Sequence, residues 1–106
     1  MINESGLVPK GHAVLVIPYE PERAKSLLAI PDSVKDNSLM VEQRVIVVEA
    51  GPLAWADEPQ PRALPGEKVL VTKFSGYIAK GTADGKIYRL VNDRDIFCGI
   101  TKEKEL

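Results

Sequence analysis

Histidine and cysteine, the usual zinc ligands and frequent catalytic residues, occur once each in the chain. His12 stands near the start of an apolar run, and Cys98 lies within the last one. A zinc site of the His/Cys type needs three or four such ligands, and no second ligand or nucleophile accompanies His12. The sequence therefore predicts no metal site and no cofactor. It favours a hydrogen-bonded or partly exposed structural histidine and a buried, unreactive thiol.

Paired carboxylates are the other candidate for chemistry, either as general acids and bases or as cation ligands. Asp32 and Asp36 form one such pair, and Asp93 and Asp95 form another. No glycine-centred calcium-loop pattern surrounds either pair. We therefore expect solvated turn residues at these positions, and a protein that is not an enzyme.

Composition narrows the function classes further. The chain has 106 residues, with 14 basic and 15 acidic side chains and a net charge of −1. This length predicts a single domain, residues 1–106, with one core and little room for a catalytic cleft. The charge balance argues against a nucleic-acid partner. No apolar run approaches the ~20 residues of a membrane span, and the polar start is unlike a signal peptide. We expect a soluble protein of the cytoplasm.

Short apolar runs rich in β-branched residues predict the secondary structure of the chain. They predict strands at residues 13–17, 45–48, 69–72, 77–79, 87–91 and 95–100, the first of them buried on both faces. Asp84 and Gly85, between the fourth and fifth runs, predict a tight hairpin with a type I′ turn. The pattern indicates an all-β chain, either a small antiparallel β-barrel or a sandwich.

Two long segments do not fit the strand pattern. Residues 51–66 contain four of the eight prolines and the only tryptophan, Trp55. Residues 18–43 are mostly polar but carry an apolar patch formed by Leu28, Ala29 and Ile30 with Leu27 beside them. Such a patch either binds a partner and becomes ordered there, or folds back onto its own barrel.

Energetics limit how the apolar patch could bind. Burying two aliphatic side chains contributes ~3–6 kcal/mol, whereas ordering about five residues costs ~5–10 kcal/mol. A single loop would therefore bind weakly. Useful affinity needs several identical loops on one assembly, because the later contacts become intramolecular. A binding role for the patch thus predicts a symmetric homo-oligomer.

The order of these features resembles the GroES-type co-chaperonins, which cap ATP-driven chaperonin rings. The resemblance extends over most of the chain and is carried by the following segments: residues 7–9 ahead of the first strand, the triplet Leu28-Ala29-Ile30 before Pro31-Asp32-Ser33, the strand 43–51 that ends in glycine, the segment 65–71, and the last strand 91–97. Each motif is weak alone, and their order and spacing carry the resemblance.

The resemblance implies a heptameric dome of GroES-like β-barrels. Residues 18–43 would be the mobile loop. Within it, four residues would bind the chaperonin in its nucleotide-bound state: Leu27, Leu28, Ala29 and Ile30. Unfolded substrate proteins would then be indirect partners, because they fold in the chamber that the cap closes. Residues 51–66 would form a roof hairpin or loop, in which Trp55 is either a contact around the ring axis or a lid on its own barrel. Pairing of the first and last strands between subunits would place four residues near the interface: Val14, Val16, Ile96 and Phe97.

Three departures from the family pattern mark a divergent member, of a kind that a virus could also encode. Ala29 is smaller than the usual middle residue of the triplet, and Ser26-Leu27 replaces a glycine pair, so Leu27-Leu28-Ala29 is a second possible register. Gly11-His12-Ala13 stands where a basic residue and an aspartate are common. The alternative function is a small β-barrel module that binds single-stranded nucleic acid or another protein; the first would need a basic groove with exposed aromatics.

Overall fold

The computed structural model describes residues 2–18 and 43–102. The predicted mobile loop, apart from its two end residues, and its four contact residues lie outside the described residues. Within these two ranges, six strands and one 3₁₀ turn follow in chain order: β1 (Ala13–Pro18), β2 (Arg44–Ala50), β3 (Lys68–Val71), β4 (Tyr77–Lys80), β5 (Ile87–Asn92), η1 (Asp93–Asp95) and β6 (Ile96–Gly99). All six predicted strands are confirmed, and so is the all-β class.

The strands form one antiparallel sheet in the order β4-β5-β1-β2-β3-β6. In this order β5 and β6 are four places apart, a distance of about 19 Å in a flat sheet. The connection η1 supplies only three residues, which reach at most about 14 Å. The sheet must therefore curl until β6 approaches β5, and this curling produces the small barrel that the sequence predicts.

Apolar residues pack on both faces of the curled sheet, as predicted for β1. The larger group, here called the inner cluster, lies inside the curl and combines residues of five strands with two from the proline-rich segment: Val14, Val16, Val45, Val47, Trp55, Ala63, Val69, Val71, Val91 and Ile96. The smaller group, the outer cluster, consists of Leu15, Val48 and Tyr88. Alternate residues of β1 serve the two clusters because successive side chains of a strand point to opposite faces.

Residues 3–7 form a compact turn that seals the outer cluster. Ser5 is fully buried, and its hydroxyl donates a hydrogen bond of 2.6 Å to Oδ1 of Asn3. The amide of Leu7 donates to the same hydroxyl at 2.9 Å, and the Leu7 side chain packs against the cluster. The amide of Ala83 donates to the carbonyl of Ser5 at 2.8 Å, which ties this turn to the β4–β5 connection.

The β4–β5 hairpin is confirmed, but the predicted type I′ turn is wrong. That turn needs a positive φ at both central residues, and of the two only Gly85 has one, at 72°. The strands are instead joined by a wider loop, closed by a 2.8 Å hydrogen bond from the Gly81 amide to the Lys86 carbonyl. The carboxylate of Asp84 accepts hydrogen bonds from the Lys86 amide and the Tyr88 hydroxyl. These local bonds favour the wider loop over the two-residue turn.

The prediction that Cys98 is buried is wrong, since its side chain is exposed. In the β3–β6 ladder Val71 is opposite Ile96, whereas Leu70 is opposite Cys98, so Phe97 is an extra residue in β6. Such a β-bulge interrupts the alternation of faces. Ile96 therefore enters the inner cluster, while Cys98 follows Leu70 to the other face, where the edge strand is open to solvent.

Candidate functional site

The described part of the candidate site is the proline-rich segment, residues 51–66, together with η1 and β6 beneath it. Its first residue fits closely against β1. The amide of Gly51 donates to the Ala13 carbonyl at 2.8 Å, and a Cβ at Gly51 would lie 2.4 Å from the Gly11 carbonyl oxygen. The amide of Gly66 donates to Val47 at the other end, at 2.7 Å. Backbone hydrogen bonds to two central strands thus fix both ends of the segment.

Trp55 is the anchor of this segment. Its side chain is 3% exposed and belongs to the inner cluster, so it lies as a lid on its own barrel. Its backbone has a φ of 56°, in the left-handed region that costs a non-glycine residue about 1–3 kcal/mol. Two hydrogen bonds of 2.8 Å to Asp93 offset that cost, one from the backbone amide to Oδ2 and one from the indole Nε1 to the carbonyl oxygen.

Asp93 is buried, so the expectation of a solvated turn residue at this position is wrong. It is 2% exposed, and its carboxylate accepts hydrogen bonds from the Trp55 amide and from Nδ1 of His12, 3.1 Å away. Burial alone would raise the pKa of this carboxyl. The hydrogen bonds from the Trp55 amide, His12 and the Arg94 amide together outweigh burial, and the pKa of Asp93 lies below its ordinary value. The group is therefore an ionised acceptor at neutral pH.

His12 has the hydrogen-bonded, partly exposed setting that the sequence predicts. Its side chain is 55% exposed and contacts the carboxylate of Asp93 through Nδ1. Its carbonyl accepts a 3.0 Å hydrogen bond from the Asp93 amide. The start of β1, η1 and the proline-rich segment therefore meet at Asp93. Sequence patterns could not show this meeting point, because the three segments are far apart along the chain.

Two arginines add links between the same elements at the surface. Arg62 donates from Nη1 to the Ile96 carbonyl at 2.8 Å, and its guanidinium lies 5.8 Å from the centre of the Phe97 ring. Its Nε also pairs with Glu58 at 2.9 Å. Arg94 and Asp57 form an exposed ion pair of 3.0 Å. The segment 51–66 is thereby attached to η1 through Arg94 and to the first two residues of β6 through Arg62.

The four residues predicted near a subunit interface are in contrasting settings. Val14, Val16 and Ile96 are buried in the inner cluster of their own chain. Phe97, the bulged residue, is 73% exposed. Strand β1 lies between β5 and β2 and is paired on both sides, whereas β6 is an edge strand that pairs only with β3 among the residues described. Of the two strands, β6 therefore has a face and an edge available to a partner.

Arg89 is a functional candidate that the sequence did not indicate. It is 3% exposed, and its Nε and Nη2 donate to the carbonyls of Ser75 and Thr72 at 2.9 and 3.0 Å. These bonds hold the β3–β4 connection, whose exposed Phe74 has a φ of 58°. The buried side chain of Arg89 thus fixes the backbone of the β3–β4 connection. Its position inside an apolar strand carried no signal for that role.

The described ranges contain neither a cluster of metal ligands nor a helix that could span a membrane. Within residues 2–18 and 43–102, no three His, Cys, Asp or Glu side chains cluster closely enough to hold a metal ion. No helix in that part of the chain has the length and apolar character that a membrane crossing requires.

Comparison with known proteins gives two matches that cover nearly the whole chain. The family model described as the chaperonin 10 kDa subunit matches residues 6–100. The co-chaperonin GroES of Elusimicrobium minutum (strain Pei191) is 32% identical over 102 residues, which are 95% of this chain and 100% of that relative. Both matches include the segment predicted to be the mobile loop, and both agree with the all-β fold.

Proposed function

The chain belongs to the chaperonin 10 kDa subunit family of co-chaperonins, and from that premise we propose that it caps an ATP-driven chaperonin ring in its nucleotide-bound state. Capping would close a chamber in which an unfolded substrate protein folds. The observation that carries this proposal is the family match over residues 6–100, because it includes the barrel, the proline-rich segment and the residues between β1 and β2 that carry the apolar patch.

The chaperonin contact is assigned to Leu27, Leu28, Ala29 and Ile30, within residues 18–43. Their support is the apolar patch in a polar stretch and the Pro-Asp-Ser that follows it. The weak binding of a single copy of this segment makes several copies necessary, so the proposal includes a homo-oligomer. The family resemblance implies that the oligomer is a heptamer.

Strand β6 is the element best suited to the contact between subunits. An open strand edge offers backbone donors and acceptors to a neighbouring strand, and a head-to-tail arrangement of identical contacts closes into a ring. Exposed Phe97 beside that edge adds apolar surface, while Ile96, Val14 and Val16 support the edge from inside the barrel.

The protein would perform no chemistry of its own and need no cofactor. It would act in the cytoplasm, that of the host if the chain is virus-encoded. In this role the ATP is hydrolysed by the partner, and specificity resides in the loop residues.

A charge in the apolar patch tests the capping proposal. Ile30→Asp should abolish co-migration with a nucleotide-loaded chaperonin while the ring mass stays unchanged, because a carboxylate cannot be buried in an apolar groove without a partner. Ser33→Asp places the same charge three residues away and should retain binding. Undiminished capping by Ile30→Asp would contradict the assignment of the patch.

The native mass tests the ring. Seven chains of 11.6 kDa give about 81 kDa, which light scattering distinguishes from a monomer. Phe97→Asp should shift the mass to that of a monomer, whereas Phe74→Asp, a second exposed aromatic far along the chain from β6, should leave the ring intact. A stable monomer of the unaltered protein would count against the proposal.

A further inference from the structure

The proline-rich segment 51–66 has no strand of its own, yet it is firmly placed on the barrel. Backbone bonds from Gly51 and Gly66 fix its two ends on β1 and β2. Between these ends, Trp55 and Ala63 are buried in the inner cluster. A segment without a hydrogen-bonded ladder needs other partners for its interior backbone groups. Backbone carbonyls serve several of them, as Gly11 does for the Leu53 amide, and the Asp93 side chain of η1 serves the amide of Trp55.

The central partner is the carboxylate of Asp93. It accepts the amide of Trp55 at 2.8 Å, while the carbonyl of the same residue accepts the indole Nε1 at 2.8 Å. These two bonds engage both the backbone and the side chain of Trp55, which fixes the direction of the chain as well as the ring. His12 contacts the same carboxylate oxygen and belongs to the lead-in to β1.

Two surface contacts of the segment also reach η1 and the start of β6. Arg94 pairs with Asp57, and Arg62 reaches the Ile96 carbonyl. The partners of Trp55, Asp57 and Arg62 in these links all lie in η1 or at the start of β6.

We infer that the position of residues 51–66 is set within each subunit, with Asp93 as its positioning residue, and not by contacts between subunits around the ring axis. The inference rests on the proposed function only in taking these residues as the roof of a ring. Residues 51–66 of each subunit are therefore already in position before the subunits assemble into a ring.

The single tryptophan makes this testable in the unaltered protein. Emission wavelength and access of a polar quencher to Trp55 are followed during dilution, with the mass measured by light scattering in the same samples. Trp55 should stay shielded and its emission unshifted as the ring dissociates. A shift to longer wavelength together with the fall in mass would overturn the inference. If no ring forms at any concentration, the proposed ring fails, but a shielded or an exposed Trp55 in the monomer still decides the inference.

Variants of η1 test the role of Asp93 itself. Asp93→Ala should expose Trp55, with emission at longer wavelength and several-fold greater quenching, while the far-ultraviolet circular dichroism of the barrel is retained. Asp93→Asn keeps an acceptor oxygen and should restore shielding. Asp95→Ala removes a carboxylate from the same turn, one that caps the Asn92 amide, and should leave Trp55 shielded.

Two results would overturn the role of Asp93. One is a Trp55 that stays shielded in Asp93→Ala, which would mean that apolar packing alone positions the segment. The other is equal exposure of Trp55 in Asp95→Ala, which would mean that any disturbance of η1 releases it. If Asp93→Ala does not fold, the dilution experiment on the unaltered protein still decides, because exposure of Trp55 as the ring dissociates overturns the inference.

Discussion

The inner and outer clusters lie on opposite faces of one sheet, and an irregular segment closes each of them. The inner cluster is closed by residues 51–66, which are held by an ionised, buried carboxylate at Asp93. The outer cluster is closed by residues 3–7, which are held mainly by hydroxyl, amide and carbonyl groups around Ser5, with a longer hydrogen bond of 3.3 Å from Asn3 to the Glu49 carboxylate. The two closing segments therefore differ in the chemistry of their anchors. The charge of each anchor decides which conditions will release its segment.

The largest difference between the faces should appear when a buried aliphatic side chain is shortened. Ile96→Ala in the inner cluster should lower the free energy of unfolding by about 4 kcal/mol, and Leu15→Ala in the outer cluster by about 3 kcal/mol. The outer cavity should cost less because residues 3–7 can move into it, whereas several strands surround Ile96. Urea denaturation at one subunit concentration measures both. Equal or reversed costs would show that both closing segments are equally rigid.

The anchors should differ by a smaller amount. Trp55→Phe leaves the buried Asp93 carbonyl without its indole donor and should cost about 2 kcal/mol. Ser5→Ala removes a hydroxyl whose neighbour Leu7 is only half-buried, and should cost about 1 kcal/mol. Unfolding followed by circular dichroism compares them, since the first variant has lost its fluorophore. A larger loss in Ser5→Ala would contradict the ranking of the two anchors.

Acid should weaken the inner anchor. The pKa of Asp93 lies below 3.8 in the folded chain, so its stabilising effect is present above that value and is lost as the pH falls through the folded pKa. Asp93→Asn should therefore flatten the loss of stability in acid. A variant as acid-sensitive as the unaltered protein would assign that loss to other carboxyls.

Alkali should weaken the outer face instead. Burial, and then the hydrogen bond to Asp84, raise the pKa of Tyr88 from 10.0 to about 12. The stabilising effect of the neutral phenol is thus complete below pH 10 and is lost as the pH rises towards 12. Tyr88→Phe should remove this part of the alkaline loss, measured as unfolding free energy against pH. The pKa of half-buried Asp84 is lowered, chiefly by the Tyr88 hydrogen bond, so acid also weakens this contact.

The smallest effect is expected at the surface of the inner closing segment. Arg94→Ala breaks the exposed pair with Asp57 and should change stability by less than about 1 kcal/mol. Raising the salt concentration should reduce even that difference, because the charges are solvated. Thermal unfolding in low and high salt measures it. A loss as large as that of Trp55→Phe would mean that the surface pair, and not the buried anchor, holds the segment.

Local patterns in the sequence predicted the strands well. Runs such as 13–17 and 45–48 are β-branched and end at proline or glycine, and these properties act within a few residues. The place of the hairpin at Asp84-Gly85 was predicted for the same reason. Its turn type was not, because the Asp84 carboxylate has partners that lie outside the two-residue pattern.

Long-range features escaped prediction. Cys98 was expected to be buried because it lies in an apolar run, and the bulge at Phe97 that turns it outward depends on pairing with β3. In the sequence, Asp93 is indistinguishable from other aspartates in turns, because its partner Trp55 is 38 residues away and contacts it only in the folded chain. The chaperonin contact at residues 27–30 stays a prediction from sequence, since it lies outside the described residues.

The three-residue connection η1 also dictates when the barrel can be completed during synthesis. Strands β1, β2 and β3 are neighbours in both chain and sheet, so they can pair as they leave the ribosome. Until β5 and β6 arrive, that partial sheet exposes two open edges, at β1 and β3. Open edges of this kind pair readily with other chains. The nascent subunit is therefore itself prone to aggregation until β5 joins β1 and η1 carries β6 across to β3.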